Sequence, residues 1–295
     1  MNQSKPRIPV DRRRFLNLVG LAGAGAGAVA AGVRPAAAGA TPDPDIVNVP
    51  GWTQSLGAGV NNHPYGIPSA FEKEVVRREV TWLTASSESS VSFTPLYALD
   101  GMITPNGLCF VRHHGGEAEI DPARHRFMIH GMVDKPLVFT MEDIKRMPGR
   151  TNRAYFLECA ANSGMEWRGA QLNGCQYTHG MIHNVVYTGV PLRAFLEAAG
   201  VKPKGKWVLA EGADASAMTR SIPIEKAMDD CLVAWAMNGE ALRPEQGYPL
   251  RLVVPGWEGN MWIKWLRRVE IGDQPWGQRE ETSKYTDLLA DGRSR

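Results

Sequence analysis

Hydrophobic and polar positions along this chain change period several times, and each change marks a short element. His125 to Val133 predicts a strand. Thr140-Met141-Glu142-Asp143 sets a capping residue three positions ahead of an acid, the start of a short helix that ends near Met147-Pro148-Gly149. An apolar strand through Tyr155-Phe156-Leu157 runs into Glu158-Cys159. Pro191 opens a second helix, in which Leu192, Phe195, Leu196 and Ala199 share a face and which Gly200 stops. Trp207 to Ala210 predicts a strand and Ile222 to Met228 a short helix. Leu232 to Met237 predicts a strand entering a tight hairpin at Asn238-Gly239, and Leu250 to Val254 and Trp262 to Ile271 complete the strand set. Glu72 to Leu83 is charged and reads as a helix, with Val75, Val76, Val80 and Trp82 leaving a strand open.

Strands and short helices do not alternate as a doubly wound sheet requires, so the fold class is α+β. The chain divides into residues 1–40, an export signal; 41–95, an extended arm rich in Pro, Gly and Asn followed by the charged helix; 96–277, one continuous domain; and 278–295, a polar tail or linker. No internal repeat is present, and 43% hydrophobic residues suffice for a sizeable core.

The signal is read from Arg12-Arg13-Arg14-Phe15-Leu16, a mild Gly/Ala-rich stretch to Gly32, and Ala36-Ala37-Ala38. That order predicts export by the twin-arginine machinery to the periplasm, with no stable membrane span after processing. Such export carries folded proteins, often ones with a cofactor already inserted. The formal charge of +2 becomes −3 without the first 38 residues, which leaves no basic field for nucleic acid. The four cysteines show no C-x-x-C, so zinc-ribbon, thioredoxin and c-type haem signatures are absent and three full disulfide pairings stay open.

Cys159 is the most informative of the four. A cysteine at a strand end is more often a small buried hydrophobe, but this one enters a loop of small residues, Ala160-Ala161-Asn162-Ser163-Gly164, suited to a thiolate-seeking metal and an approaching reagent. Cations stand beside glycine or proline elsewhere: Arg112-His113-His114-Gly115-Gly116, Arg168-Gly169, Pro249-Leu250-Arg251, and Lys264 after Pro255-Gly256-Trp257-Glu258-Gly259. Glycine admits a ligand close to the backbone while Arg and Lys donate to phosphate or an oxyanion, so together they describe a site for an anionic cofactor and substrate. No GxGxxG follows a strand, which argues against a dinucleotide. His179 and His183, four apart without the glutamate of a zinc protease motif, read as structural.

The ordered runs Phe110-Val111-Arg112-His113-His114, Glu158-Cys159-Ala160-Ala161-Asn162, Gly212-Ala213-Asp214, Ser221-Ile222-Pro223, Met237-Asn238-Gly239, Tyr248-Pro249-Leu250-Arg251, Val254-Pro255-Gly256 and Ile263-Lys264-Trp265-Leu266 resemble the sulfite oxidase family of molybdopterin enzymes, from about Leu96 to Ile271. Within it, Leu157 to Gln176 is most similar to the molybdenum subunits of sulfane dehydrogenases. The resemblance implies a molybdopterin-binding domain of mixed sheets and short helices, with molybdenum held by a pterin dithiolene and the Cys159 thiolate. It implies pterin or phosphate contacts from Phe110, Val111, Arg112, His113, His114, Asp214, Arg251 and the Trp262-Ile263-Lys264 segment, and catalytic roles for Cys159, Arg112 and Tyr285. It implies oxygen-atom transfer to reduced sulfur, either sulfane sulfur on a carrier protein or sulfite, with electrons passing to a c-type cytochrome subunit because this chain has no haem signature.

Three departures shape that expectation. Ser163-Gly164 stand where sulfite oxidases carry two arginines, which favours a bulkier, protein-bound substrate. Gln246 replaces a histidine of the animal enzymes. The family's C-terminal immunoglobulin-like dimerisation domain has no counterpart among these 295 residues. A sulfite dehydrogenase, a molybdopterin sulfoxide reductase, and a cofactor-free binding or assembly protein are the competing readings.

Overall fold

The computed structural model describes residues 66–80, 90–164, 166, 169, 174–286 and 289–293. The expected signal, the arm to residue 65 and Arg168 lie outside them. Residues from Ile67 to Arg295 form one unit.

In chain order the first strands are β1 (Arg78–Glu79), β2 (Val91–Phe93), β3 (Val111–Arg112), β4 (Phe127–Gly131), β5 (Leu137–Phe139) and β6 (Thr151–Glu158). There follow β7 (Ile182–Pro191), β8 (Trp207–Gly212), β9 (Thr219–Pro223), β10 (Leu232–Met237), β11 (Glu240–Ala241), β12 (Arg251–Val253) and β13 (Leu266–Gly272). The described helices are short: α1 (Met141–Arg146), α2 (Cys175–His179), α3 (Leu192–Ala199), α4 (Ile224–Asp229) and α5 (Arg279–Ser283). They accompany three sheets. β1-β2-β3 is antiparallel; β11-β10-β7-β6 carries β12 as a further partner of β10; and β5-β4-β13-β8-β9 is mixed, with β4 and β13 parallel. This is the α+β arrangement of mixed sheets and short helices expected.

Local chemistry explains several boundaries. The Thr140 hydroxyl accepts from the Asp143 amide at 3.1 Å and the Asp143 carboxylate accepts from the Thr140 amide at 2.9 Å, a reciprocal cap worth about 1 kcal/mol to α1. Leu192, Phe195, Leu196 and Ala199 of α3 are fully buried, and Gly200 ends the helix in the left-handed region at φ 73°. Phe195 meets Phe127 and Phe139 edge to face at 5.6 and 5.2 Å between ring centres, which ties α3 to β4 and β5. Asn238 and Gly239, at φ 52° and 83°, make the hairpin between β10 and β11.

Four segments depart from expectation. β7 carries no strand in the sequence reading, yet its residues 182–189 pair with the whole of β6 and its other edge pairs with β10. The strand expected from Trp262 begins only at Leu266, because Gly259–Met261 is a 3-10 turn and Trp265 has a left-handed backbone at φ 53°. In Glu72 to Leu83 the described residues hold the strand β1 and the end of a single 3-10 turn, Ala70–Glu72, rather than a helix. Within the expected polar tail, α5 docks on β9: the Glu281 carboxylate accepts from the Ser221 amide and, at 3.0 Å, from its hydroxyl.

Candidate active site

Pairing of Leu157 with His183 and Glu158 with Ile182 fixes where the chain leaves β6, and Cys159 is the next residue. Its amide donates to the Met181 carbonyl at 3.0 Å and its carbonyl accepts from the Asn162 amide at 2.9 Å. The Asn162 side chain closes the turn, donating to Glu158 at 2.9 Å and accepting from the Met181 amide at 3.0 Å. Gly259 lies against this turn: a Cβ there would stand 3.3 Å from the Cys159 Cα and 3.0 Å from the Glu158 carbonyl oxygen. Burial pushes the Cys159 thiol up, opposed by the Ala161 backbone and the Arg112 guanidinium. A cation bound to the sulfur would reverse that balance.

The opposite wall is basic. Arg251, on β12, is 2% exposed and donates through Nη1 to the carbonyl and side-chain oxygens of Gln246 at 3.1 and 3.2 Å. Lys264 donates to the Arg112 carbonyl (3.0 Å), His113 Nδ1 (2.9 Å) and the Glu245 carbonyl (3.0 Å), which occupies all three ammonium protons. Burial, then Arg251, pulls the Lys264 pKa well down. His113, stacked on Trp265 at 5.7 Å, is lowered to about 3 by burial and Lys264, and His114 to about 4 by burial and Arg112. Both are neutral imidazoles near pH 7 and serve as hydrogen-bonding groups rather than charges. Asp214, in the turn from β8 to β9, accepts from the Ser216 hydroxyl at 2.5 Å and the Met218 amide at 3.0 Å.

Tyr285 follows α5 and reaches the same place, its hydroxyl 3.1 Å from His114 Nε2. Burial and the neighbouring Cys159 raise its phenol above the ordinary range. With it, all twelve residues singled out from the sequence border one cleft of about 680 Å³, counting its open mouth. Sequence reasoning missed others on the same wall: Leu157, His183, Met218, Asn260 and Trp265. His183 is the instructive one, because it reads as structural from its spacing to His179. Its strand was not foreseen, and the alternation of β7 turns it inward to 3% exposure, with its ring 4.9 Å from that of Phe110.

The model of the oxidoreductase molybdopterin binding domain matches residues 114–280. The chain belongs to the sulfite oxidase type of molybdopterin-binding oxidoreductase. Among solved members it is similar to the sulfane dehydrogenase SoxCD from Paracoccus pantotrophus, at 60% identity and a TM-score of 0.78 over 86% of this chain and 65% of that one. Curated relatives include the NADH nitrate reductases of Ulva prolifera, 32% identical over 192 residues, and Volvox carteri, 35% over 188. Those matches take in 59% and 58% of this chain but 22% and 21% of the reductases, so the chain spans about a fifth of their length.

The molybdopterin-binding assignment can be tested on the cleft itself. His183 Nδ1, Arg251 Nε and both amide atoms of Asn260 are buried without a hydrogen-bond partner, and all three residues line the cleft. Each such atom costs about 1–3 kcal/mol if left unpaired, and their grouping on one wall suits a polar ligand. Among the described residues no group of three or more His, Cys, Asp or Glu is placed to hold a metal. An ion at Cys159 would therefore draw most of its ligands from a bound cofactor, and the buried Arg251 Nε–H is a donor the chain leaves for it. The residues fit the group. All four cysteines are free, so none of the three disulfide pairings forms, and among the described residues no helix is long and apolar enough to cross a membrane.

Proposed function

We propose that this chain is the molybdenum subunit of a periplasmic sulfane dehydrogenase, exported by the twin-arginine route, which oxidises sulfane sulfur held on a carrier protein. The observation that carries it is the buried Cys159 thiol facing a basic wall with unpartnered polar atoms, in a chain 60% identical to a sulfane dehydrogenase. When bound, the molybdenum cofactor supplies two-electron oxygen-atom transfer. Cys159 would hold the metal. Arg251, Asp214, His113 and His114, with Phe110, Val111, Trp262 and Ile263, would hold the pterin and its phosphate, and Lys264 would brace that wall through Arg112, His113 and Glu245. Arg112 would hold the anionic sulfur, and the neutral Tyr285 phenol would donate a hydrogen bond to it. Adding one oxygen atom from water to sulfur releases two protons and two electrons. The electrons pass singly to a c-type cytochrome subunit.

Sulfite is the competing donor. The small pair Ser163-Gly164 favours the carrier-bound substrate over it, since it lacks an arginine that would grip a small dianion. The test is the molybdenum-to-protein ratio of this chain and of Cys159→Ser, by elemental mass spectrometry after expression in a host that makes the pterin, with turnover of sulfite and of thiosulfate coupled to a carrier cysteine. The parent is expected to hold near-stoichiometric metal and to prefer the coupled thiosulfate. Cys159→Ser is expected to lose metal and more than ~100-fold in turnover, since even groups one shell outside a metal's ligands are worth 10–100-fold. Folded parent protein without molybdenum would refute the reading.

A further inference from the structure

Arg220, on β9, is 8% exposed and joins three segments that the sequence keeps apart. Its Nε donates to Met261 Sδ at 3.0 Å, its Nη1 donates to the Glu280 carbonyl at 3.2 Å, and its Nη2 lies 3.7 Å from the Glu258 carboxylate. Its guanidinium carbon stands 5.4 Å from the centre of the Tyr285 ring. Glu258 and Met261 bracket the turn whose Gly259 abuts Cys159, and the Glu280 carbonyl also accepts from the Tyr285 amide at 3.1 Å. One side chain thus grips the turn beneath the thiol and the segment that carries the phenol.

The tyrosine needs such a grip. α5 has five residues, too few to persist without tertiary support, so Tyr285 keeps its place only through what docks α5 and the residues after it. Only a planar fork with several donors can address sulfur, carbonyl, carboxylate and ring face at once; a lysine offers one point charge.

We propose that Arg220 is a positioning residue, which sets Tyr285 relative to Cys159 by anchoring the segment that carries it to the 258–261 turn. This rests on the reading of Cys159 and Tyr285 given above. The test compares the full-length, cofactor-loaded protein with Arg220→Met, Arg220→Lys, Tyr285→Phe and the Met/Phe double variant, by hydrogen exchange and by turnover of carrier-coupled thiosulfate. Arg220→Met is expected to speed exchange over residues 279–286 by about tenfold or more, with residues 192–199 exchanging as in the parent. Turnover should fall on the order of tenfold to a hundredfold, as for a small misplacement of a reacting group. The double variant should be no slower than Tyr285→Phe alone, and lysine should restore little. Unchanged exchange over 279–286, or losses that multiply in the double variant, would overturn the proposal. If the methionine variant fails to fold because Glu258 loses its counter-charge, Arg220→Lys keeps the charge and decides by the same two readouts. A parent without molybdenum would sink the reading of Cys159 while the exchange data still judged the tether. An active, metal-loaded parent with unchanged exchange would sink the tether alone.

Discussion

The packing of α3 on β4 and β5 and the wall of the cleft bury side chains in opposite styles. Leu192, Phe195, Leu196 and Ala199 have no solvent exposure, and aromatic neighbours account for the burial of Phe195. His183, Arg251 and Asn260 are 3%, 2% and 9% exposed, yet each keeps a polar atom without a partner in the chain. In the first region burial is explained by the protein alone. In the second the chain leaves polar atoms for something the protein binds, so the two should respond differently when side chains, pH or ligand are changed.

The largest effect should come from the self-sufficient region. Phe195→Ala is expected to cost about 3–5 kcal/mol in chemical denaturation whether or not the cofactor is bound. A loss that depended on cofactor would erase the distinction.

Acid should pick out the other region. His113 and His183 are both held down to about 3, so in the folded, cofactor-free chain they stay neutral while an unfolded histidine near 6.5 takes up a proton. A depressed histidine contributes stability that is whole above about pH 6.5 and drains as pH falls toward 3, on the order of 2 kcal/mol per residue by pH 5. Replacing His113 with Asn should flatten the pH dependence of the cofactor-free melting temperature between 6.5 and 5. Phe195→Ala should shift the whole curve without changing its slope.

The smallest change sharpens the contrast most. Asn260→Ala removes two unpartnered buried atoms, so the cofactor-free protein should hold its melting temperature or gain up to about 1 kcal/mol. Cofactor retention on dialysis should weaken, by about tenfold. A destabilised cofactor-free protein with normal retention would mean that Asn260 serves the fold rather than the ligand.

The sequence reading did best where one residue type decides a local geometry. Thr140 and Asp143 cap a helix, Gly200 ends one, and Asn238-Gly239 turns a hairpin, each through a short-range bond or a backbone angle. It failed at β7, where His183, Asn184, Thr188 and Gly189 interrupt the apolar pattern. Those interruptions come from the site and from close packing: His183 faces the cleft, and a Cβ on Gly189 would collide with the Val233 carbonyl oxygen. It also failed at Trp265, whose left-handed backbone no propensity signals. The cleft residues with charge or sulfur were legible because glycine or proline stood beside several of them and their order resembles a family. Asn260 carried no such mark, since an amide announces its role only when its surroundings leave it unsatisfied.

The parallel pairing of β4 with β13 also sets a schedule for the chain's birth. β13 lies between β4 and β8 in the sheet but is the last strand of the thirteen to be synthesised. Without β13, β4 with β5 and β8 with β9 could form only two separate antiparallel pairs, each with an open hydrogen-bonding edge. The sheet therefore closes late and through contacts distant in sequence, the slow kind of folding, and nascent chains would be most prone to aggregate in that interval.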